Sequence, residues 1–219
     1  WGAQIGSRVA TCDPGATIAP GFSIAGSNLW QTSATDPYLR LHRTRQLARL
    51  GGYDPTVRDW IPSTPSQVGA MNAILADASN ASHPLIRQAG RSISRSSDST
   101  IALEDVTSDT PENEVAMEGY GRNELAAQLH LVARLIKARA RLGQSRQVFF
   151  VRMGGWDTHS NQNERLPSLL AELDEAVSQF QHALGPHGID VAETVTTFTA
   201  SDFGRTLTSN GDGTDHAWG

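Results

Sequence analysis

Residues 147–159 read QVFFVRMGGWDTH, and the rest of the chain is read outward from them. Val148, Phe149, Phe150 and Val151 are β-branched or aromatic, the composition of a buried strand. The run stops at Gly154-Gly155 and then presents Asp157 and His159 one residue apart. In an extended backbone, alternate residues share a face, so this aspartate and histidine point the same way. Open α/β sheets build their sites in this way, with ligands outside the carboxyl ends of the strands. A second β-favouring run, Thr194 to Ala200, leads through Asp202 and Phe203-Gly204-Arg205-Thr206 to Asp215-His216.

Between the two runs the pattern is helical. Leu166, Leu169, Leu170, Leu173, Val177, Phe180 and Leu184 form one stripe over Glu164 to Leu184, ended by Gly185-Pro186. Pro167 suits a first turn, which places the start as late as Leu166. Strand, helix and strand predict a βαβ unit with parallel strands and a right-handed crossover. Asp157, His159 and Asp202 are then neighbours at one sheet edge. The predicted fold class is α/β, a mainly parallel sheet flanked by helices, in a single partial domain over residues 1–219.

Upstream, Asn123 to Leu142 carries Leu125, Leu129, Val132 and Ile136 on one face. Glu124 lies in the first turn and Lys137, Arg139 and Arg141 in the last, with Gly143 as the C-cap. Those cations read as a solvated helix end. Pro65 to Ala78 predicts another helix, capped by Ser63 or Thr64, and Pro84 to Ile93 a further one. Residues 94–118 are rich in Ser, Thr, Asp and Glu and read as a long loop or insertion, its acidic end solvated. Ala16 to Ile24 reads as a short strand or extended segment, Asp36 to Arg49 as a short helix or surface excursion, and Asp54-Pro55 as a turn.

Composition narrows the function classes. The formal charge is −5, and Lys137 is the single lysine among 18 basic residues, which argues against a nucleic-acid partner. Cys12 is the one cysteine, so neither an internal disulfide nor a zinc–thiolate cluster can form. No apolar run approaches the ~20 residues needed to span a bilayer. The chain opens at Trp1 and stops just after Asp215-His216, and it reads as an internal fragment of a longer protein.

The candidate metal ligands are Asp157, His159, Asp202, Asp215 and His216. Carboxylate with imidazole suits Zn²⁺, Mn²⁺ or Fe, whereas carboxylates alone favour Mg²⁺ or Ca²⁺. A lone Asp-x-His is ordinarily a turn cap. Two such groups on neighbouring strand ends turn the reading towards a metal or anion site. Arg205 is either a clamp for a phosphate or sulfate oxygen or a partner of Asp202 or another neighbour that fixes the loop. Asn210-Gly211-Asp212-Gly213 reads as a flexible turn carrying Asp215-His216, without phosphate-loop or dinucleotide spacing. The other histidines (42, 83, 130, 182 and 187) are read as structural or solvated, and Cys12 as a non-nucleophilic residue.

Gly154-Gly155-Trp156-Asp157-Thr158-His159, with Asn161-Gln162, resembles the first signature of the DUF1501 family. Thr199-Ala200-Ser201-Asp202-Phe203-Gly204-Arg205-Thr206, followed by Asn210-Gly211-Asp212-Gly213-Thr214-Asp215-His216, resembles the second. The likeness is close over residues 121–219, looser over 1–39 and faint over 40–120.

That family is similar to the alkaline phosphatase and sulfatase superfamily. The resemblance implies a parallel sheet, one or two divalent metals (Zn, Mn, Mg or Ca) bound by Asp and His, and hydrolysis of small phosphate or sulfate esters. It also implies export from a bacterial cell, often through a twin-arginine signal. Asp157 and His159 would form one ligand group, Asp202 a second, and His216 with Asp215 a late one. The superfamily's second motif usually reads Asp-His, but Phe203 follows Asp202 here. Its nucleophile lies on an N-terminal strand that would precede Trp1, so no catalytic residue is named and the fragment alone is expected to be inactive. The alternative function is a non-catalytic, degenerate member of the fold that binds a ligand or partner.

Overall fold

The computed structural model describes residues 2–14, 16, 18–32, 39–41, 53–54, 59–60, 65–107 and 111–217. Within them the chain is α/β, mixing long helices with small sheets. It divides into two compact units, Trp1–Glu114 with Arg134–Phe150, and Val115–Ala133 with Val151–Gly219.

The first unit is organised around β1 (Gly21–Ser23), the middle strand of a three-stranded parallel sheet. Its neighbours are β2 (Leu39–Arg40) and the strand Val148–Phe150 that ends the unit. Phe22 is fully buried, lies opposite Phe149 in the register and stacks on it at 5.3 Å between ring centroids. Hydrogen bonds from Val148 N to Pro20 O and from Ile24 N to Phe150 O, each 2.9 Å, extend that pairing at both ends. The aromatic run therefore finds its parallel partner near the start of the chain. A two-stranded antiparallel pair, β3 (Tyr53–Asp54) with β4 (Asp59–Trp60), lies in the same unit. The helix Gly2–Ala10 (α1) opens the unit.

Two helices, α2 (Pro65–Asn80) and α3 (Pro84–Thr107), pack against each other as a hairpin. A Cβ on Gly90 would sit 2.6 Å from Ser79 N and 2.8 Å from Ala78 Cβ, so their backbones approach closely there. Helix α3 overturns part of the expected loop, because residues 94–107 are helical. The cause is a buried stripe at helical spacing, Ser99, Leu103, Val106 and Thr107, which the polar composition hides. The suggested helix over Asp36 to Arg49 lies largely outside the described residues, as do the suggested caps Ser63 and Thr64 and the turn residue Pro55.

The next helix, α4, spans Glu124–Lys137 and opens in the second unit. Asn123 caps it, accepting from Leu125 N at 2.9 Å and Ala126 N at 3.1 Å. Leu125, Leu129, Val132 and Ile136 are buried, but so are Ala126, Leu131, Ala133 and Leu135, so α4 is a core helix rather than a one-faced one. It ends five residues before the expected Leu142, in turns closed by Gly143 at φ +67°. Its cations are not simply solvated. Lys137 Nζ donates to Glu114 O at 2.8 Å, and Arg141 pairs with Glu112 at 3.1 Å. Across the first unit, Arg134 reaches the end of α3 and donates to Thr107 O at 2.7 Å.

In the second unit, Gln128 accepts from Arg152 N at 2.9 Å and donates to Arg152 O at 2.8 Å. This fixes the chain as it leaves β5, the strand Val148–Phe150. Helix α5 runs Gln162–Leu184 and begins earlier than Pro167 suggests. Proline there removes one amide donor, and the acceptor it deprives, Asn163 O, belongs to an exposed residue that water can reach. Buried His130 donates from Nε2 to Val115 O at 3.0 Å and stacks on Tyr120, a structural role.

The predicted second parallel strand does not form. After α5 come a single 3₁₀ turn, Ala192–Thr194, and an irregular segment whose residues 196–202 are exposed. β-Branched residues favour a pleated backbone but need a neighbouring strand to complete the ladder, and among the described residues no strand pairs with this segment. The chain ends in an antiparallel hairpin, β6 (Gly204–Ser209) with β7 (Thr214–Ala217). Among the described residues no helix is long and apolar enough to cross a membrane.

Candidate metal centre

A loop and a hairpin of the second unit build one cluster. The loop is residues 151–161, which Gly155 turns at φ +91°. The hairpin is β6–β7, in which Arg205 lies opposite His216. Gly213 sits so close to the loop that a Cβ on it would fall 2.6 Å from His159 O and 2.7 Å from Thr158 O. Only glycine fits this approach. Around it, Asn210 Nδ2 donates to His159 O at 3.0 Å, Gln162 N to Asp212 O at 3.1 Å, and Thr214 Oγ1 to Gln162 Oε1 at 2.8 Å.

Arg205 completes the seam from within. Its guanidinium donates to Trp156 O and Thr214 O, and to Thr158 Oγ1 at 3.3 Å. Thr158 itself is buried. The ring of Phe203 stacks on His216 at 3.9 Å between centroids, and the Arg205 guanidinium lies 5.1 Å from the Phe203 centroid. Arg205 thus fixes the loop against the hairpin, as the second of its two alternatives has it, through main-chain carbonyls rather than through the Asp202 carboxylate. Its donors face protein carbonyls and a hydroxyl.

These contacts converge Asp157, His159 and His216. One carboxylate oxygen, Asp157 Oδ1, lies 2.8 Å from His159 Nε2 and 2.8 Å from His216 Nε2. One donor atom from each residue lies within 4.8 Å of the other two. Asp215 approaches from elsewhere, its Oδ1 3.0 Å from His159 Nδ1 and 3.1 Å from Asn210 Nδ2. Asp202 is exposed and is not part of the group. The structure thus assembles four of the five candidate ligands through a hairpin, not through adjacent parallel strands.

The electrostatics follow from these contacts. The hydrogen bond from His216, helped by the electrostatic influence of His159, His216 and Arg205, holds the Asp157 carboxyl below its ordinary range against the opposing effect of desolvation. Hydrogen bonds from His159 and Asn210 do the same for Asp215. Both carboxylates are therefore ionised at neutral pH. His159 has an acceptor at each ring nitrogen, whereas a neutral imidazole carries one N–H.

The donor set fits a divalent ion. Two imidazole nitrogens and one carboxylate oxygen suit Zn²⁺, Mn²⁺ or Fe better than Mg²⁺ or Ca²⁺. Bonds of about 2.0–2.2 Å require donor atoms roughly 3–3.5 Å apart. The three side chains are 44–59% exposed, so rotamer adjustment can meet that spacing. Sequence reasoning missed Thr158, Asn210 and Phe203 as supports, although all three stand inside the quoted motifs. Their signal was their presence in a fixed string, without any residue chemistry that announces a role.

Fold and site together define a small α/β protein with a solvent-facing Asp/His cluster seated between a glycine loop and a β-hairpin. The family model described as "Protein of unknown function (DUF1501)" matches residues 59–219, and the chain belongs to that family. The match starts well upstream of the two motifs and takes in α2 and α3, where the likeness of the sequence was faint. No curated protein and no solved structure matches the chain.

Proposed function

We propose that this chain is part of a metal-dependent hydrolase of small phosphate or sulfate esters, related to the alkaline phosphatase and sulfatase superfamily and exported from its cell. The observation that carries the reading is the convergence of Asp157, His159 and His216 donor atoms within 4.8 Å of one another on an exposed surface. Three protein ligands with an open side are the pattern of catalytic rather than structural sites. When bound, a divalent ion would polarise the ester oxygen and stabilise charge developing in the transition state. Asp157, His159 and His216 would hold it. The exposed face leaves room for a small ester, and the larger parallel sheet of the superfamily belongs to the same proposal.

A second reading, ligand or partner binding without turnover, is favoured by one observation. Arg205, the candidate anion clamp, has its donors on Trp156 O, Thr214 O and Thr158 Oγ1. Elemental analysis of the full-length parent protein for bound metal, with its hydrolysis of aryl phosphate and aryl sulfate, separates the two. The hydrolase reading expects metal and turnover that both vanish in Asp157→Ala/His159→Ala. A wild type that takes up metal and hydrolyses neither ester supports the second reading, and a metal-free, inactive wild type ends the first.

A further inference from the structure

We propose that Asp215 is an orienting carboxylate and not a ligand, fixing the His159 imidazole so that Nε2 is the atom presented to an ion at Asp157, His159 and His216. The inference rests on the metal reading above and assigns a role within it. The two nitrogens of an imidazole ring point away from each other. A carboxylate bonded at Nδ1, as Asp215 is at 3.0 Å, lies on the far side of the ring from anything bonded at Nε2. Asp215 and His216 are also consecutive on β7, where successive side chains leave opposite faces of the strand. One turns to Asp157 and the other to the back of His159.

Asp215 is itself held. Asn210 Nδ2 donates to its Oδ1 at 3.1 Å, and Asn210 Oδ1 accepts from Gly213 N at 2.8 Å, so the turn that seats the hairpin also aims the carboxylate. A ligand histidine whose second nitrogen bonds a carboxylate has a fixed ring orientation and a more basic donor atom. Asp215 supplies both to His159. Asn210 is a positioning residue one step further out.

Titration of Co²⁺ into the 219-residue chain tests this, with affinity read by calorimetry and coordination by the visible absorption of the bound ion. Asp215→Asn is expected to weaken binding by about 10–100-fold while leaving the saturated spectrum unchanged in position and intensity. Asp215→Glu, which keeps a charged carboxylate, should recover part of the loss. Asp157→Asn should alter both the affinity and the spectrum, because it removes a ligand. If Asp215→Asn fails to fold, Asn210→Ala keeps Asp215 and should show a smaller loss with the same spectrum. Equal affinity in wild type and Asp215→Asn overturns the orienting role. A changed spectrum in Asp215→Asn makes Asp215 a ligand and overturns it too, with the metal reading intact. A wild type that binds no Co²⁺ removes the metal reading and this inference together.

Discussion

The end of α3 and the hairpin β6–β7 are each tied down by one arginine, under opposite conditions. Arg134 is 1% exposed and donates to Thr107 O among Leu103, Val106 and Leu135, all buried. Arg205 is only partly buried and ties Trp156 O, Thr214 O and Thr158 Oγ1 into one seam, while its strand neighbour Leu207 stands fully in solvent. At the first, apolar packing sets the geometry and the arginine satisfies a carbonyl that packing has buried. At the second there is little apolar surface to bury, so directional hydrogen bonds set the geometry themselves. A site that must stay open to solvent is built by the second method.

That contrast can be broken most sharply with leucine. Leu135→Ala removes a fully buried side chain and should cost about 2–5 kcal/mol in chemical denaturation. The same change at Leu207 should stay within about 0.5 kcal/mol. Equal losses at both positions would erase the distinction between the two regions.

A smaller effect is expected from Arg205→Met, which leaves the carbonyls of Trp156 and Thr214 without their donor. The cost, about 1–3 kcal/mol, should be local. Hydrogen exchange of the 204–217 amides should accelerate while amides of α4 keep their protection, and a uniform change in both would argue that the hairpin is not held by this seam.

The smallest effect concerns acid. Ser145 N donates to Asp13 Oδ2 at 2.7 Å and Arg146 N at 3.3 Å, and these bonds, led by that of Ser145, hold the Asp13 carboxyl below its ordinary value of 3.8. A carboxyl depressed in the folded state stabilises it above its unfolded value. That contribution is lost as pH falls through the folded one. Stability should therefore decline below about pH 4. Asp13→Asn should remove this part of the decline in acid titrations followed by circular dichroism, and an unchanged acid limb would discount the bond.

How much of this was legible depended on the range of the interaction that decides each element. Helices α4 and α5 were readable because their apolar spacing is local. The long α3 was not, since Ser99, Leu103 and Val106 are diluted by Thr100, Glu104 and Asp105 between them. The parallel partner of Phe149 was misassigned to Thr194 to Ala200, which has the composition of a strand. The real partner is a three-residue segment behind Pro20, with little local signal of its own. Asp157, His159, Asp215 and His216 stand out because each motif sets a carboxylate beside, or one residue from, an imidazole. Asp202 was drawn in by the assumed crossover and drops out with it. The roles of Asn210 and Arg205 depend on main-chain acceptors, which carry no residue identity to read.

The pairing of Gly21 with Val148 has a consequence for how the protein is made. On a ribosome adding about 5–20 residues per second, the interval between those two positions takes roughly 6–25 s. Throughout that time the segment around Phe22, destined for complete burial, has no β5 to receive it. Helices α2 and α3 lie wholly within the interval and can form from local contacts as they emerge. The central strand of the sheet can pair with β2 soon after both are made, and waits for β5 on its other side.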